Sequence, residues 1–454
     1  MTETLQVLEP ATEGVLETVP RATAEDIDAA VARAKAAHPA WRAVAPGDRA
    51  RLLLRVAALI EDRLDELATL EARNAGKPIT DARAEMAMVV ETFRYYAGAP
   101  ERLLGQTIPV AGGVDMTFRE PLGVVALIVP WNFPIAITSW KVGPALAAGN
   151  TIVLKPAGLT PLTALELERL ALQAGIPEGV VNVVVGAGRT VGERLVQHPD
   201  VAKVAFTGST DVGKRIGALA AESIKRVTLE LGGKSANIVF ADADLEKAAA
   251  SAPPAVFGNA GQDCCARSRI LVERGAVDHF MQALEKAVKG LRVGDPLDEK
   301  TEMGPLISAE HRSRVAAYLE DGARVAIRGS APTGRGFWFA PTVLSPVDPH
   351  DRAAREEIFG PIVAVIPFAD EADAVRIAND TVYGLSGSIW TNNAGRALRV
   401  ARALETGTIS INSNTSVRVT TPFGGFKQSG IGRELGPNAL DHYTELKNVF
   451  LSTS

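Results

Sequence analysis

The hydrophobic pattern of the chain changes character twice. Between positions 23 and 96, apolar residues recur at helical spacing. Ile27, Val31 and Ala34 define a helix over 23–37, with Thr23 and Asp26 placed as a capping box at its start. Leu53, Val56, Ile60 and Leu64 define a second over 50–72, which Asn74-Ala-Gly-Lys-Pro78 stops. A third covers 81–96, and all three stripes read as core-packing faces. Weak alternation over 106–119, around Gly112-Gly113, predicts a hairpin. From Gly123 the pattern becomes short apolar runs separated by helical stretches. Strands are expected over 124–129, 152–154, 180–185 and 202–206, with a helix over 161–174 between them. Fully apolar strands alternating with helices predict a parallel, doubly wound sheet, which binds ligands at the carboxyl ends of its strands. A second alternation starts after Gly232-Gly233. It predicts strands over 236–240 and 268–272, helices over 245–256, 310–321 and 370–378, and a polar loop over 332–336.

Length and charge narrow the class. A chain of 454 residues exceeds one small core and implies two or three lobes. The net charge of −5 is mixed along the chain, and no basic tract or aromatic RNA-binding motif is present, which excludes a nucleic-acid partner. The opening Met1-Thr-Glu-Thr is polar and acidic and does not read as a leader. Apolar runs such as 124–129 fall short of the roughly 20 residues that cross a bilayer. The only two cysteines, Cys264 and Cys265, are adjacent and cannot staple distant segments, which fits the reducing cytoplasm. There is no internal repeat and no low-complexity segment.

Those cysteines sit in Asn259-Ala-Gly-Gln-Asp-Cys-Cys-Ala-Arg-Ser-Arg269. A thiol flanked by glycine and small residues suits an accessible nucleophile. A buried pair of small hydrophobes is the other reading. No histidine lies near these motifs, which argues against a Cys-His pairing, and no metal-ligand set is apparent. Gly208-Ser-Thr-Asp-Val-Gly213-Lys214 follows a strand and opens a helix. It nearly spells a nucleoside-triphosphate loop, but Arg215 replaces the required hydroxyl residue. Its glycines still let a pyrophosphate reach backbone amides. Gly186-Ala-Gly188 reads as a plain turn or as a second phosphate approach.

Six motifs in order resemble the aldehyde dehydrogenase superfamily over nearly the whole chain. They are Pro130-Trp-Asn-Phe-Pro134, Phe206-Thr-Gly-Ser-Thr210, Glu230-Leu-Gly-Gly-Lys234, Gly261-Gln-Asp-Cys264, Glu357-Ile-Phe-Gly-Pro361 and Pro422-Phe-Gly-Gly-Phe-Lys-Gln-Ser-Gly430. The resemblance implies two doubly wound α/β lobes, a Rossmann-type cofactor lobe and a catalytic lobe, plus a small oligomerisation β-sheet. The expected boundaries are 1–104 and 122–232 for the cofactor domain and 233–433 for the catalytic domain. Segments 105–121 and 434–454 would form the oligomerisation sheet of a homodimer or homotetramer. The implied reaction oxidises an aldehyde to a carboxylic acid with NAD or NADP, without a metal. Cys264 is then the nucleophile, Asn132 an oxyanion donor and Glu230 the general base. Lys155, Gly158, Gly208, Ser209, Gly213, Leu231, Glu357, Phe359 and Trp131 fall on the cofactor side. Gly158 stands where many NAD-preferring relatives carry glutamate, so NADP is expected to be tolerated. Phe133, Ile137, Trp140, Asp263, Cys265, Val417 and Phe423 are expected around the substrate. There Asp263 points to a cationic aldehyde and Arg267 and Arg418 to a carboxylate, a surface or structural charge is the other reading of each, and the opposing charges name no substrate. Two alternatives stand beside this reading: acyl transfer to coenzyme A, which the presence of Glu230 disfavours, and a catalytically silent structural or binding protein on the same fold.

Overall fold

The chain is described by a computed structural model over residues 3–320, 322–415 and 417–453. Met1, Thr2 and Asp321, which the expectations above touch, lie outside the described residues. The first doubly wound sheet has six strands in the order Gly430–Ile431, Arg226–Glu230, Val201–Thr207, Val124–Ile128, Thr151–Lys155, Val181–Val183. Every neighbouring pair is parallel except the two-residue edge strand, which runs antiparallel to Arg226–Glu230. All five residues of Val124–Ile128 and of Thr151–Lys155 are buried, because helices cover both faces. That is why these strands read as unbroken apolar runs. Helix Pro134–Ala147 is buried along its whole length and packs against the helix Ile79–Ala97.

The second sheet has seven strands in the order Val325–Arg328, Thr342–Leu344, Ile362–Phe368, Arg269–Glu273, Ala236–Val239, Ser386–Trp390, Thr408–Ile411. Only its first pair is antiparallel. A third, three-stranded antiparallel sheet joins Thr107–Val110 and Gly113–Pro121 to the tail strand Thr444–Ser452. The hairpin expected over 106–119 is present in it.

The pattern left five strands of the second sheet unread, Val325–Arg328, Thr342–Leu344, Ile362–Phe368, Ser386–Trp390 and Thr408–Ile411, and further elements depart from the sequence expectations. The helix read over 50–72 is two helices, Pro46–Asp62 and Leu64–Ala75. They break at Arg63, whose guanidinium leaves the helix line to bridge Glu66 and Glu166. The helix expected from 310 ends at Ala316 and tightens into a 3₁₀ turn, Ala317–Leu319. The chain also opens with a hairpin, Thr4–Glu9 against Gly14–Pro20, that the pattern did not reveal. Its Val7 and Val19 are buried against Leu162 and Val185. By contrast, Thr23 and Asp26 do form the capping box. No helix among the described residues is long and apolar enough to cross a membrane.

Candidate active site

The first sheet places its site residues at one edge. Lys155 and Glu230 are the last residues of their strands, Gly208 follows Thr207 directly, and Trp131–Asn132 follow Ile128 by a short loop. Lys155 is buried, and desolvation lowers its pKa to about 8. Ser209 precedes the helix Thr210–Ala221 without spending its hydroxyl on a cap bond. A Cβ at Gly213 would sit 2.3 Å from Leu231 Cδ2, so only glycine lets this helix lie so close to Leu231. Gly158 meets the N-terminal hairpin, where a Cβ would stand 3.0 Å from Leu5 Cδ2. Gly188 begins a single π-helical turn, Gly188–Gly192.

The second sheet contributes from the loops before its strands. Cys264 precedes Arg269–Glu273, and Glu357 and Phe359 precede Ile362–Phe368. Glu357 Oε1 accepts the Gly233 N–H at 2.7 Å, and a Cβ at Gly232 would meet Glu357 Oε2 at 2.4 Å. Burial raises the Glu357 pKa to about 7. Phe359 has φ +56°, and its ring meets Trp131 edge-on with centroids 5.3 Å apart. His311 Nε2 lies 2.7 Å from the Phe359 carbonyl oxygen and pins that turn.

Asn132, Cys264 and Glu230 occupy the facing edges. Asn132 is buried, and its side-chain amide donates to the Gln262 carbonyl at 3.0 Å. Its own carbonyl accepts from Lys77 Nζ at 3.0 Å and from Asn259 Nδ2 at 2.8 Å. Lys77 in turn is paired with Glu85 at 2.6 Å. The Asn132 loop is thereby fixed from behind, and an amide has a second N–H to offer. Cys264 is half-buried, and Cys265 is buried. The hydrogen bond with Cys265, then burial, then neighbouring negative charge push the Cys264 thiol well above its ordinary pKa. Glu230 is buried with neither carboxylate oxygen hydrogen-bonded within the described residues. Burial raises its pKa well above the ordinary carboxylate value, and the Glu434 carboxylate adds to this, while Lys141 opposes it. Glu434 forms a buried ion pair with Lys141. A neutral thiol needs a base to become a nucleophile, and a carboxylate with a raised pKa suits that task.

Phe133, Ile137, Trp140, Cys265, Val417 and Phe423 all belong to the large apolar core of the first lobe, against which Cys264 also packs. Trp140 and Phe423 pack edge-to-face with centroids 5.4 Å apart. Asp263 Oδ1 accepts the Cys265 N–H at 2.8 Å. One charge expected here is elsewhere. Arg267 is buried and donates to Ser388 Oγ at 2.7 Å, to the Cys265 carbonyl at 2.6 Å and to the Gly387 carbonyl at 3.2 Å. A buried guanidinium committed to backbone acceptors is structural and is not offered to a substrate carboxylate. Arg418 is exposed. Sequence reasoning missed Lys77, Glu85, Lys141, Glu434, Asn259 and His311. The charges among them are the sole visible signal, since acids and lysines are rarely buried without a task.

A doubly wound sheet thus carries a buried carboxylate at its carboxyl edge, and a second α/β sheet carries a half-buried thiol in the segment before one of its strands. The chain belongs to the aldehyde dehydrogenase family, whose sequence profile matches residues 1–449. It is 46% identical to an aldehyde dehydrogenase of Emericella nidulans, over 98% of this chain and 91% of that protein. It is 45% identical to the phenylacetaldehyde dehydrogenase of Pseudomonas fluorescens, over 99% of this chain and 93% of that protein. The solved NAD+ complex of aldehyde dehydrogenase from Bacillus cereus superposes with a TM-score of 0.97 at 45% identity, covering 100% of this chain and 94% of that one.

Proposed function

We propose that this enzyme oxidises an apolar aldehyde to its carboxylic acid with a nicotinamide dinucleotide, through a thioester on Cys264. The observation that supports the reading most is the buried Glu230 carboxylate, without a hydrogen bond among the described residues, together with a half-buried Cys264 thiol and an Asn132 amide tied to the Gln262 carbonyl two residues before that cysteine. Glu230 takes a proton and Cys264 Sγ attacks the carbonyl carbon. The Asn132 side-chain amide and the Cys264 backbone N–H hold the developing oxyanion. The dinucleotide, when bound, supplies the hydride acceptor. Glu230 then activates the water that releases the acid, which favours hydrolysis over transfer to coenzyme A.

The residues present fit the dinucleotide. Gly208 and Ser209 open a twelve-residue helix suited to a pyrophosphate. Lys155 at its strand end suits the adenosine ribose, and Glu357 with Phe359 suits the nicotinamide ribose and ring. Leu231, behind Gly213, and Trp131, against Phe359, line the same edge. The Bacillus cereus relative is solved in complex with NAD+. Gly158 places no carboxylate where a 2′-phosphate would go, so NADP is accepted here as well.

The substrate reading rests on the Trp140–Phe423 contact and its apolar neighbours, which suit an arylalkyl aldehyde, as the name of the Pseudomonas relative also suggests. Residues 1–104 with 122–232 act as the cofactor domain, 233–433 as the catalytic domain except that Gly430–Ile431 adds an edge strand to the first sheet, and 105–121 with 434–454 as the oligomerisation segments. The tail strand leaves one edge unpaired and exposes Leu446, Phe450 and Leu451, which suits a homodimer or homotetramer. Unbridged, adjacent cysteines suit the cytoplasm.

The test is absorbance of the reduced nicotinamide with NAD and, separately, NADP across aromatic, aliphatic, amino- and carboxy-aldehydes. Reduction with arylalkyl aldehydes that disappears in Cys264→Ala is the expected result. No reduction by folded protein with any pair would overturn the reading. NADP turning over less than about a hundredth as efficiently as NAD, roughly 3 kcal/mol, would remove the NADP part.

A further inference from the structure

Adjacent side chains on a strand point to opposite faces, so two neighbouring cysteines ordinarily do not share a ligand. Here a turn brings them together. The Ala266 N–H donates to the Asp263 carbonyl at 3.0 Å, closing a four-residue turn with Cys264 and Cys265 at its centre. Asp263 Oδ1 accepts the Cys265 N–H at 2.8 Å, which folds the carboxylate back over the turn. The result is one carboxylate oxygen and two sulfurs that all lie within 4.8 Å of one another. Cys264 is half-buried, which opens the group on one side, while Cys265 is packed in the apolar core. Two thiolates and a carboxylate form a donor set that selects soft or borderline cations. Tetrahedral zinc, with zinc–sulfur bonds of about 2.3 Å, holds two sulfurs about 3.8 Å apart, a contraction that side-chain rotation can supply.

We propose that Asp263, Cys264 and Cys265 form a reversible zinc site that silences the enzyme by occupying the sulfur of its nucleophile. Two zinc–sulfur bonds form as two S–H bonds break, both protons leave to solvent, and nothing is oxidised or reduced. The carboxylate and one water complete the coordination. The ion is an inhibitor and not a cofactor, so the reaction itself remains metal-free. The silencing rests on the function proposed above, whereas the binding does not.

The experiment uses the full, reduced chain stripped of metal. Zinc affinity is measured by competition with a chromogenic chelator. Cobalt(II) then replaces zinc, and the thiolate-to-cobalt band in the near ultraviolet is recorded. One zinc per chain is expected, with affinity lowered about tenfold or more in Cys264→Ser and in Cys265→Ser. The cobalt band should fall by about half in either variant, as one of two thiolates is lost. Asp263→Asn keeps an acceptor for the Cys265 N–H and should weaken zinc without changing the band. Since Cys265 is packed in the core, Cys265→Ala with a circular dichroism check covers a serine variant that fails to fold. Zinc affinity equal in wild type and a folded Cys265 variant, or a cobalt complex without the band, would overturn the site. Aldehyde oxidation that saturating zinc leaves untouched would overturn it too. Zinc held by both thiols in a chain that oxidises no aldehyde would refute the activity and leave the site standing.

Discussion

The two large sheets build their halves of the site in opposite ways. The first uses the carboxyl ends of its strands, so Lys155 and Glu230 are positioned by regular parallel pairing. The second works from the amino side, with turns before its strands. Those turns contain Asn259 at φ +51°, Ala260 at φ +55°, Gly261 at φ +71° and Phe359 at φ +56°. Non-glycine residues in this region cost roughly 1 kcal/mol or more each and persist only where neighbours hold them. Gln262 holds the first turn, its Nε2 donating to the Asn259 carbonyl at 3.0 Å and its Oε1 accepting the Ile307 N–H at 2.9 Å, and His311 holds the Phe359 turn. The difference teaches that the first sheet's edge is set by topology, whereas the thiol and the Phe359 turn depend on a small, breakable hydrogen-bond network.

Substitutions on the thiol side should therefore reduce turnover while sparing nucleotide affinity. The largest effect is expected for Cys264→Ala, a fall in kcat of about 10⁴-fold or more with unchanged dinucleotide binding by calorimetry. Asn132→Ala should cost about 10²- to 10³-fold in kcat through the lost oxyanion donor. Gln262→Ala touches neither substrate nor cofactor. It should still lower kcat by roughly 10- to 100-fold as the turn relaxes, again without weakening the nucleotide. Equal losses in dinucleotide affinity would erase the contrast between the two edges.

On the other side, Gly158→Glu should cut NADP efficiency about tenfold relative to NAD, some 1.4 kcal/mol, if the tip of Leu5 yields to the new side chain. Steady-state ratios for the two cofactors check this.

The smallest predicted change is in pH dependence. Glu230 must be ionised to act, and its pKa is raised, so activity is present above that pKa and lost as pH falls through it. Glu434→Gln removes a repelling carboxylate and leaves the Lys141 charge, so the acid limb of kcat should move to lower pH. A limb that stays in place would show that Glu230 does not sense Glu434.

The same contrast explains what the sequence revealed. The first sheet was legible where its strands are buried apolar runs, Val124–Ile128 and Thr151–Lys155 above all, whereas Arg226–Glu230, which begins with an exposed arginine, is not such a run. Cys264 was legible from its local motif, and the edge-strand hairpin from Gly112-Gly113. The network behind the site was not. Lys77 reaches Asn132, Lys141 reaches Glu434, and Tyr96 donates to the Gly436 carbonyl at 3.1 Å. These are contacts across long stretches of chain that no local pattern encodes. Arg267 was open between a substrate contact and a structural charge for a related reason: a charge beside the nucleophile in sequence is turned into the core next to the following strand. The N-terminal hairpin escaped because its apolar positions are few and its core is shared with Leu162 and Val185.

The central claim is that Cys264 carries an acyl group which Glu230 then hydrolyses. The most direct measurement mixes the Glu230→Gln variant with NAD and an arylalkyl aldehyde, quenches with acid, and reads mass on the cysteine peptide. The account predicts slow formation of one equivalent of reduced nicotinamide per chain, since the thiol has lost its base as well, with an acyl adduct on Cys264 and little turnover after it. Reduced nicotinamide that accumulates over many turnovers with no adduct on Cys264 would contradict it.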